Sequence, residues 1–396
     1  MKRSLICPVC GSRANDFLQR PNVPIHQHLL WNSQDAARGT GRGDLTLACC
    51  GQCGFIFNST FEPAKLVYGE NYENSQLCSP FFNHYIDGLI GHLIEEQKVQ
   101  NCRVIEVGCG QGSFLKRLVE RGTGISGYGF DPSYRGPATT PDGRITFLAA
   151  YYGPGFAGIA ADFVICRHVI EHVADPVALL TSIHQALSHS PRARLFLETP
   201  AVDWILHNAA YWDFFYEHCS YFTAASLARA VETAGFAVRN VCRKFNGQYL
   251  WLEAVIAPDE TAIVQPAEPL VDLVKQFALR ERSFIAKWRD ILERKLIRGE
   301  KTAVWGAGAK GVTFVNLMDP EGKYLECVVD INPKKQGNFL PGTGHPIVGI
   351  PALAERRISS VILMNPNYKE EVMAMLNDLP ANIVLVEMEN DYETDN

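Results

Sequence analysis

Three sets of side chains in this sequence have the types and spacing to do chemistry. The first is Glu217-His218, inside the aromatic run Tyr211 to Thr223, with Tyr216 beside it. An imidazole can take or give a proton near neutral pH, and an adjacent carboxylate can raise its basicity. The second set is a pair of glycine-rich loops. Gly108-Cys109-Gly110-Gln111-Gly112 follows the apolar stretch Val104 to Val107, with Glu106 just before it. Gly306-Ala307-Gly308-Ala309-Lys310-Gly311 follows Thr302 to Trp305. Glycines at such spacing let the backbone close on a ligand, and a helix N-terminus beyond the loop favours an anion. The third set is Cys7-x-x-Cys10 and Cys50-x-x-Cys53, each followed by glycine. Four thiolates suit tetrahedral zinc, and a site with four protein ligands is closed to substrate, hence structural. Cys49 is a rival to Cys50 as ligand, but the regular spacing favours Cys50. His26 and His28, in the 39 residues between the knuckles, read as surface residues.

Strands and helices in alternation must position these groups. A helix is expected from Pro80 to Gln97 and a strand from Arg103 to Val107, with the next helix opening at Gly112. Further strands are expected at Gly124–Phe130, Asp162–Cys166 and Arg194–Glu198, a helix at Pro176–Leu187, and a terminal hairpin from Phe236–Arg243 with Tyr249–Ala257. Such alternation implies a parallel sheet covered on both faces, with ligands outside the carboxyl ends of its strands. Asp131 closes the second strand 23 residues past Gly108, where a carboxylate can accept both hydroxyls of a ribose. Arg167 and His168 stand at the carboxyl edge, beside the same crevice. His172 reads as structural. Pro258 to Pro269 reads as a linker, followed by a long amphipathic helix from Leu270 to Ile297, and the alternation restarts at Thr302. There the GxGxxG spacing, with Asp330 24 residues past Gly306, matches a dinucleotide fingerprint. An acidic tail ends at Asn396.

The 396 residues suit two or three domains. The net charge of −6, without a Lys/Arg cluster near the knuckles, counts against a nucleic-acid partner. No apolar run approaches the ~20 residues of a membrane span, and the N-terminus does not read as a signal peptide. A cytoplasmic location is therefore expected, and the 12 cysteines should be reduced there.

The GxGxG loop with its preceding acid resembles motif I of the class I S-adenosylmethionine (SAM) methyltransferases, whose loop holds the amino-acid end of SAM. The stretch Ala161 to Pro176 resembles another part of that family. A wider set of marks is more specific. The two knuckles, Glu106 to Gly112, Glu198-Thr-Pro200, Glu217-His218-x-Ser-Tyr221-Phe222, Asn246-Gly-Gln248-Tyr249-Leu250 and Asp330-Ile-Asn-Pro-Lys334-Lys-Gln-Gly337 together resemble, over nearly the whole chain, the sugar C-methyltransferases of deoxysugar biosynthesis. The resemblance implies an α/β protein in three parts: an N-terminal zinc-binding knuckle domain (1–75), a central class I SAM-methyltransferase Rossmann-like sheet (76–261) and a second Rossmann-like α/β domain led by the long helix (262–396). It implies His218 as the base, with Glu217 orienting it or holding a sugar hydroxyl, and Tyr216 and Tyr72 at the substrate. Family members carry Tyr-x-Glu-His, whereas Tyr216 here stands one place nearer the Glu-His pair. SAM would lie on Glu106, Gly108, Gly110, Gly112 and Asp131, beside Arg167 and His168. Asn246 and Gln248 would line the substrate pocket, and Gly306, Gly308, Lys310 and Asp330 would hold its nucleotide. The expected reaction is methyl transfer from SAM to carbon beside a ketone, through an enolate, on a nucleotide-activated keto-deoxysugar. The enzyme is expected as a monomer or homodimer, with no nucleic-acid or membrane partner. Rival readings are a small-molecule O- or N-methyltransferase, an RNA methyltransferase and an NAD-linked oxidoreductase.

Overall fold

Three sheets organise the chain, and one of them borrows a strand from a distant segment. The structure, a computed structural model, describes residues 5–66, 72–256 and 270–388. The linker expected at Pro258 to Pro269, the connector's start at Tyr68 and the acidic tail from Asp391 lie outside the described residues.

The first sheet is antiparallel, in the order Leu5–Ile6, Arg13–Pro24, Arg42–Cys50, Ile56–Asn58 and Ser220–Tyr221. Both Cys-x-x-Cys knuckles sit in its turns. In each, the glycine after the second cysteine has positive φ (Gly11 72°, Gly54 73°) and its amide bonds back to the carbonyl of the first, at 3.0 Å. Its last strand is the unexpected element: Ser220–Tyr221 follows the Glu217-His218 pair by two residues and pairs with Phe57 and Ile56.

The second sheet has seven strands, in the order Phe236–Lys244, Tyr249–Ile256, Arg194–Pro200, Phe163–Arg167, Arg103–Val107, Ser126–Phe130 and Ile145–Leu148. Only Tyr249–Ile256 runs against its neighbours. The hairpin it makes with Phe236–Lys244 was expected from the sequence; the edge strand Ile145–Leu148 and the helix Ala224–Thr233 were not. Helix starts follow local chemistry. Ser79 and Asp175 accept amides of their own first turns (Phe82 and Ala178), and each precedes a proline.

The third sheet is wholly parallel: Ile347–Val348, Leu325–Val329, Thr302–Trp305, Ser360–Leu363 and Val384–Glu387. The helix Leu270–Ile297 leads into it. Its 28 residues span about 42 Å at 1.5 Å each. Its buried stripe runs Leu270, Val274, Phe277, Glu281, Phe284, Trp288 and Leu292. That spacing keeps one face inward. Leu45, Tyr211, Trp212, Phe214, Phe277, Phe284 and Phe314 belong to one core cluster, so apolar contact joins the first hairpin, the aromatic run, the long helix and the third sheet.

Candidate active site

The run Tyr211 to Thr223 is held from both sides. The Phe215 amide donates to the Tyr221 hydroxyl, at 3.0 Å, and that hydroxyl lies 3.1 Å from the Phe215 carbonyl. The Cys219 amide donates to the Glu171 carbonyl and Ser220 Oγ to the Val173 carbonyl, at 3.0 and 2.7 Å. This leaves Glu217 and His218 at a fixed apex between the first two sheets.

Their side chains part there. Glu217 is fully buried, and its carboxylate accepts the Gln27 amide at 2.5 Å and the Tyr72 hydroxyl at 2.6 Å. Burial pushes its acidity weaker than an ordinary carboxyl's, against the pull of His172 and these donors. His218 instead packs its ring 4.2 Å from Phe215 and 4.7 Å from His172. Burial, reinforced by the charges of His172, His168, His28 and Lys310, holds the His218 imidazole well below its usual range. It is therefore neutral at pH 7, the form that accepts a proton. His172 lies with its Nδ1 3.1 Å from the Glu217 carbonyl. A carbonyl can only accept, so Nδ1 carries a proton in this contact. One atom each of Glu171, His172 and His218 falls within 4.8 Å of the others.

The carboxyl edge of the second sheet carries a buried charge network. Glu198 accepts Arg167 Nε at 2.6 Å and the Tyr85 hydroxyl, and lies 3.4 Å from His168 Nε2. Burial opposes its ionisation, but Arg167, His168 and Tyr85 outweigh that and hold it down to about 2. His168 also meets Glu171 at 3.2 Å. Burial works against its charge, yet the two carboxylates lift it to about 9.

The first glycine loop adjoins this network. A Cβ on Gly108 (φ 71°) would lie 2.1 Å from Val169, and one on Gly112 (φ 78°) 2.4 Å from Phe147, so neither position takes a larger residue. Asp131 closes the loop: one oxygen accepts the Gly110 amide, and the other accepts the Ser133 amide and hydroxyl. Glu106 is 4% exposed, and its Oε2 has no hydrogen-bond partner among the described residues. Burial raises it to about 8 against the pull of Arg167. An orphaned buried carboxyl oxygen just before the glycine turn fits a hydrogen-bond donor such as the amino group of SAM.

The second glycine loop has the same closure. Asp330 accepts the Ala307 amide on one oxygen and the Asn332 amide on the other, both at 2.8 Å. Here a buried lysine is added: Lys335 Nζ reaches the Ala307 carbonyl at 3.1 Å and Asp330 at 3.3 Å. With an ammonium already on it, Asp330 is a poorer ribose acceptor than the dinucleotide fingerprint requires. Lys310 pairs with Asp213 and lies over the Trp204 ring.

One cavity of about 300 Å³ lies where the three sheets meet. His28 and Tyr72 wall it from the first, His168, Glu171, His172, Glu217, His218 and Gln248 from the second, and Gly306, Gly308, Lys310 and Asp330 from the third. Gln248 and Asn365 bond reciprocally, at 2.8 and 3.1 Å, across its rim.

Several residues stand where the sequence did not put them. Tyr216 turns away from the cavity: it is fully buried against Gly43 and Phe61, and its hydroxyl accepts the Glu62 amide at 3.0 Å. Asn246 is exposed at the hairpin tip and bonds Asn367 at 3.1 Å rather than lining the pocket. Arg167 lies under the edge, its guanidinium 4.3 Å from the Phe114 ring and spent on Glu198, rather than free for a cofactor. Glu217 is committed to the first sheet's side, not to orienting His218. Conversely, His172 and His28 are cavity residues, not a structural and a surface histidine.

Cys7, Cys10, Cys50 and Cys53 lie together, with Sγ–Sγ distances of 3.7 Å for Cys7–Cys53 and 3.5 Å for Cys10–Cys50. Metal–sulfur bonds of ~2.3 Å give a tetrahedron edge of about 3.8 Å, so the four fit one zinc ion. Cys49 stays outside the cluster, its thiol directed at the Cys50 carbonyl, 3.8 Å away.

A family model for a methyltransferase domain matches residues 82–241, and one for a C-methyltransferase C-terminal domain matches residues 266–382. The C-methyltransferase NovU of Streptomyces niveus is 23% identical over 390 residues, covering 93% of this chain and 91% of that protein. Among solved structures, magnesium protoporphyrin IX methyltransferase of Synechocystis PCC 6803 with bound SAH overlaps 45% of this chain and 84% of its own, at 18% identity and a TM-score of 0.34. An S-adenosylmethionine dependent methyltransferase from Mesorhizobium loti overlaps 43% of this chain and 99% of its own, at 19% identity and a TM-score of 0.33.

Proposed function

Because the chain belongs to the SAM-dependent C-methyltransferase family, we propose that its acceptor is the carbon beside the ketone of a nucleotide-activated keto-deoxysugar. The observation that carries this reading is the shared cavity: two half-buried histidines, His172 and the neutral His218, and an anion-type glycine loop from a different sheet face the same space. An acid–base centre alone would suit many acceptors. A second loop beside it suits one that carries a diphosphate.

In this reading His218 takes the proton from carbon, and the electron pair moves onto the ketone oxygen to give the enolate. His172, its Nδ1–H held by the Glu217 carbonyl, stands beside the His218 ring. Glu217 fixes Tyr72 at the substrate wall. Glu106, Gly108, Gly110, Gly112 and Asp131 hold SAM, which supplies the electrophilic methyl group. Gly306 and Gly308 receive the diphosphate, beside the Lys310–Asp213 ion pair. Cys7, Cys10, Cys50 and Cys53 hold a structural zinc. The chain divides into 1–75, 76–261 and 262–396.

The test is mass spectrometry of TDP- and UDP-linked keto-deoxysugars incubated with SAM and enzyme. The expected product gains CH₂ and keeps its ketone. In deuterated water His218→Ala should neither exchange the proton beside the ketone nor methylate, a loss of roughly 10²-fold or more, while its SAM affinity stays normal. Methyl found on oxygen or nitrogen, or His218→Ala turning over at the wild-type rate, would overturn the assignment.

A further inference from the structure

The segment Ile25 to Trp31 comes from the metal-knuckle sheet but runs across the cavity to the third sheet. The Gln27 amide bonds Glu217, Leu29 bridges Tyr72, and the Trp31 carbonyl accepts the Phe339 amide at 2.8 Å. His28 sits at the middle of this crossing. Its carbonyl accepts the Glu73 amide at 2.9 Å, which fixes the backbone, and its ring leans edge-on to Tyr72 at 5.6 Å. The ring's Cε1 lies 3.9 Å from where a Cβ on Gly308 would stand.

Among the described residues, none hydrogen-bonds this imidazole. Its Nδ1 is shut off from solvent without a hydrogen-bond partner, and neither ring nitrogen bonds another described residue. Leaving a buried ring nitrogen unpaired is costly, so such a group is a sign of a missing partner. The Cε1 edge of the ring is the part that faces the loop, at Gly308. A Cβ on Gly306 would meet nothing within 4 Å, and Lys335 neutralises Asp330 from behind. An anion seated on the Gly308 amide, at the start of the helix Ala309–Met318, would therefore have His28 as its opposite wall.

We propose that His28 is a substrate-binding residue that donates a ring N–H to the diphosphate held on the Gly306–Gly308 loop. The inference rests on the nucleotide-sugar reading above and deepens it: the N-terminal unit closes the nucleotide site with its own side chain. Burial and the charges of Lys335, His172 and His26 keep the ring neutral without ligand, so it keeps one donor and one acceptor nitrogen.

Calorimetric titration of the full chain with TDP, UDP and SAM tests this, using wild type, His28→Ala and His28→Gln. Wild type should bind at least one diphosphate. His28→Ala should bind it about tenfold to a hundredfold more weakly, the worth of a hydrogen bond to a charged group. His28→Gln, which keeps a donor, should recover part of the loss, and all three should bind SAM alike. If wild type binds a diphosphate and both variants match it, the His28 inference falls and the nucleotide-sugar reading stands. If both variants also lose SAM, the effect is one of folding and the inference falls. If wild type binds neither diphosphate, the nucleotide-sugar reading falls and takes the inference with it.

Discussion

His168 and His218 line one cavity, yet their surroundings push them to opposite ends of the imidazole range. His218 meets burial and like charges, while His168 is clasped by Glu171 and Glu198. This has a consequence for stability. The folded-state value of His168, about 9, lies above its unfolded one. Its stabilisation is therefore fully present below about pH 6.5 and is lost as pH rises towards 9. Melting temperature against pH should fall more steeply between 6.5 and 9 for wild type than for His168→Gln. The difference should be on the order of a few kcal/mol at most. Parallel profiles would show that the network does not charge His168. At this scale the sequence was partly legible. His218 could be picked out because its neighbours along the chain, Glu217 and the aromatics, form a recognisable phrase. His172 and His28 could not, since the groups that face them, such as the Glu217 carbonyl and Gly308, lie far away along the chain.

The long helix shows how a pattern can be right while its exception carries the information. Periodicity placed Leu270–Ile297 in full, because six of its buried positions are apolar at helical spacing. Glu281 breaks the stripe, and the structure gives the reason. It lies 2.7 Å from Arg20 Nε, and Arg20 also donates to the carbonyls of Phe214 and Tyr211, at 2.8 and 2.6 Å. One buried guanidinium thus ties the first hairpin, the aromatic run and the long helix together. Arg20→Met should cost about 3–5 kcal/mol in denaturant unfolding, since it leaves Glu281 buried and unpaired. Arg20→Met with Glu281→Met should recover much of that loss. A double variant as unstable as the single would mean that the carbonyl contacts, not the ion pair, dominate. Other elements were beyond sequence patterns for a plain reason. Ile145–Leu148 is four residues long and Ser220–Tyr221 only two, too short for any period to register.

Across the whole molecule, two sheets with little sequence in common close their glycine loops alike, through Asp131 and Asp330. Alternating strands and glycine spacing made both sheets legible. The cavity at their junction with the knuckle sheet was not, because no local pattern encodes how three units dock. That docking ties the cysteine cluster to the chemistry: the knuckle sheet contains the strand next to His218, and the segment bearing His28 leaves the end of its strand Arg13–Pro24. Metal analysis should find one zinc per chain. Stripping it should unfold the first sheet, since such ions contribute on the order of 10 kcal/mol, and should abolish turnover although no cysteine of the cluster lines the cavity. Circular dichroism and activity both unchanged after chelation would rule that out. The borrowed strand has a further consequence, in the order of synthesis. Ile56–Asn58 waits for Ser220–Tyr221, which the ribosome adds 162 residues later. At about 5–20 residues per second, that edge stays open on the nascent chain for roughly ten to thirty seconds. An unpaired edge can template association with other chains, so the same pairing that steadies His218 in the finished enzyme also closes an edge that synthesis leaves open, and the strand's length of three residues keeps that edge short.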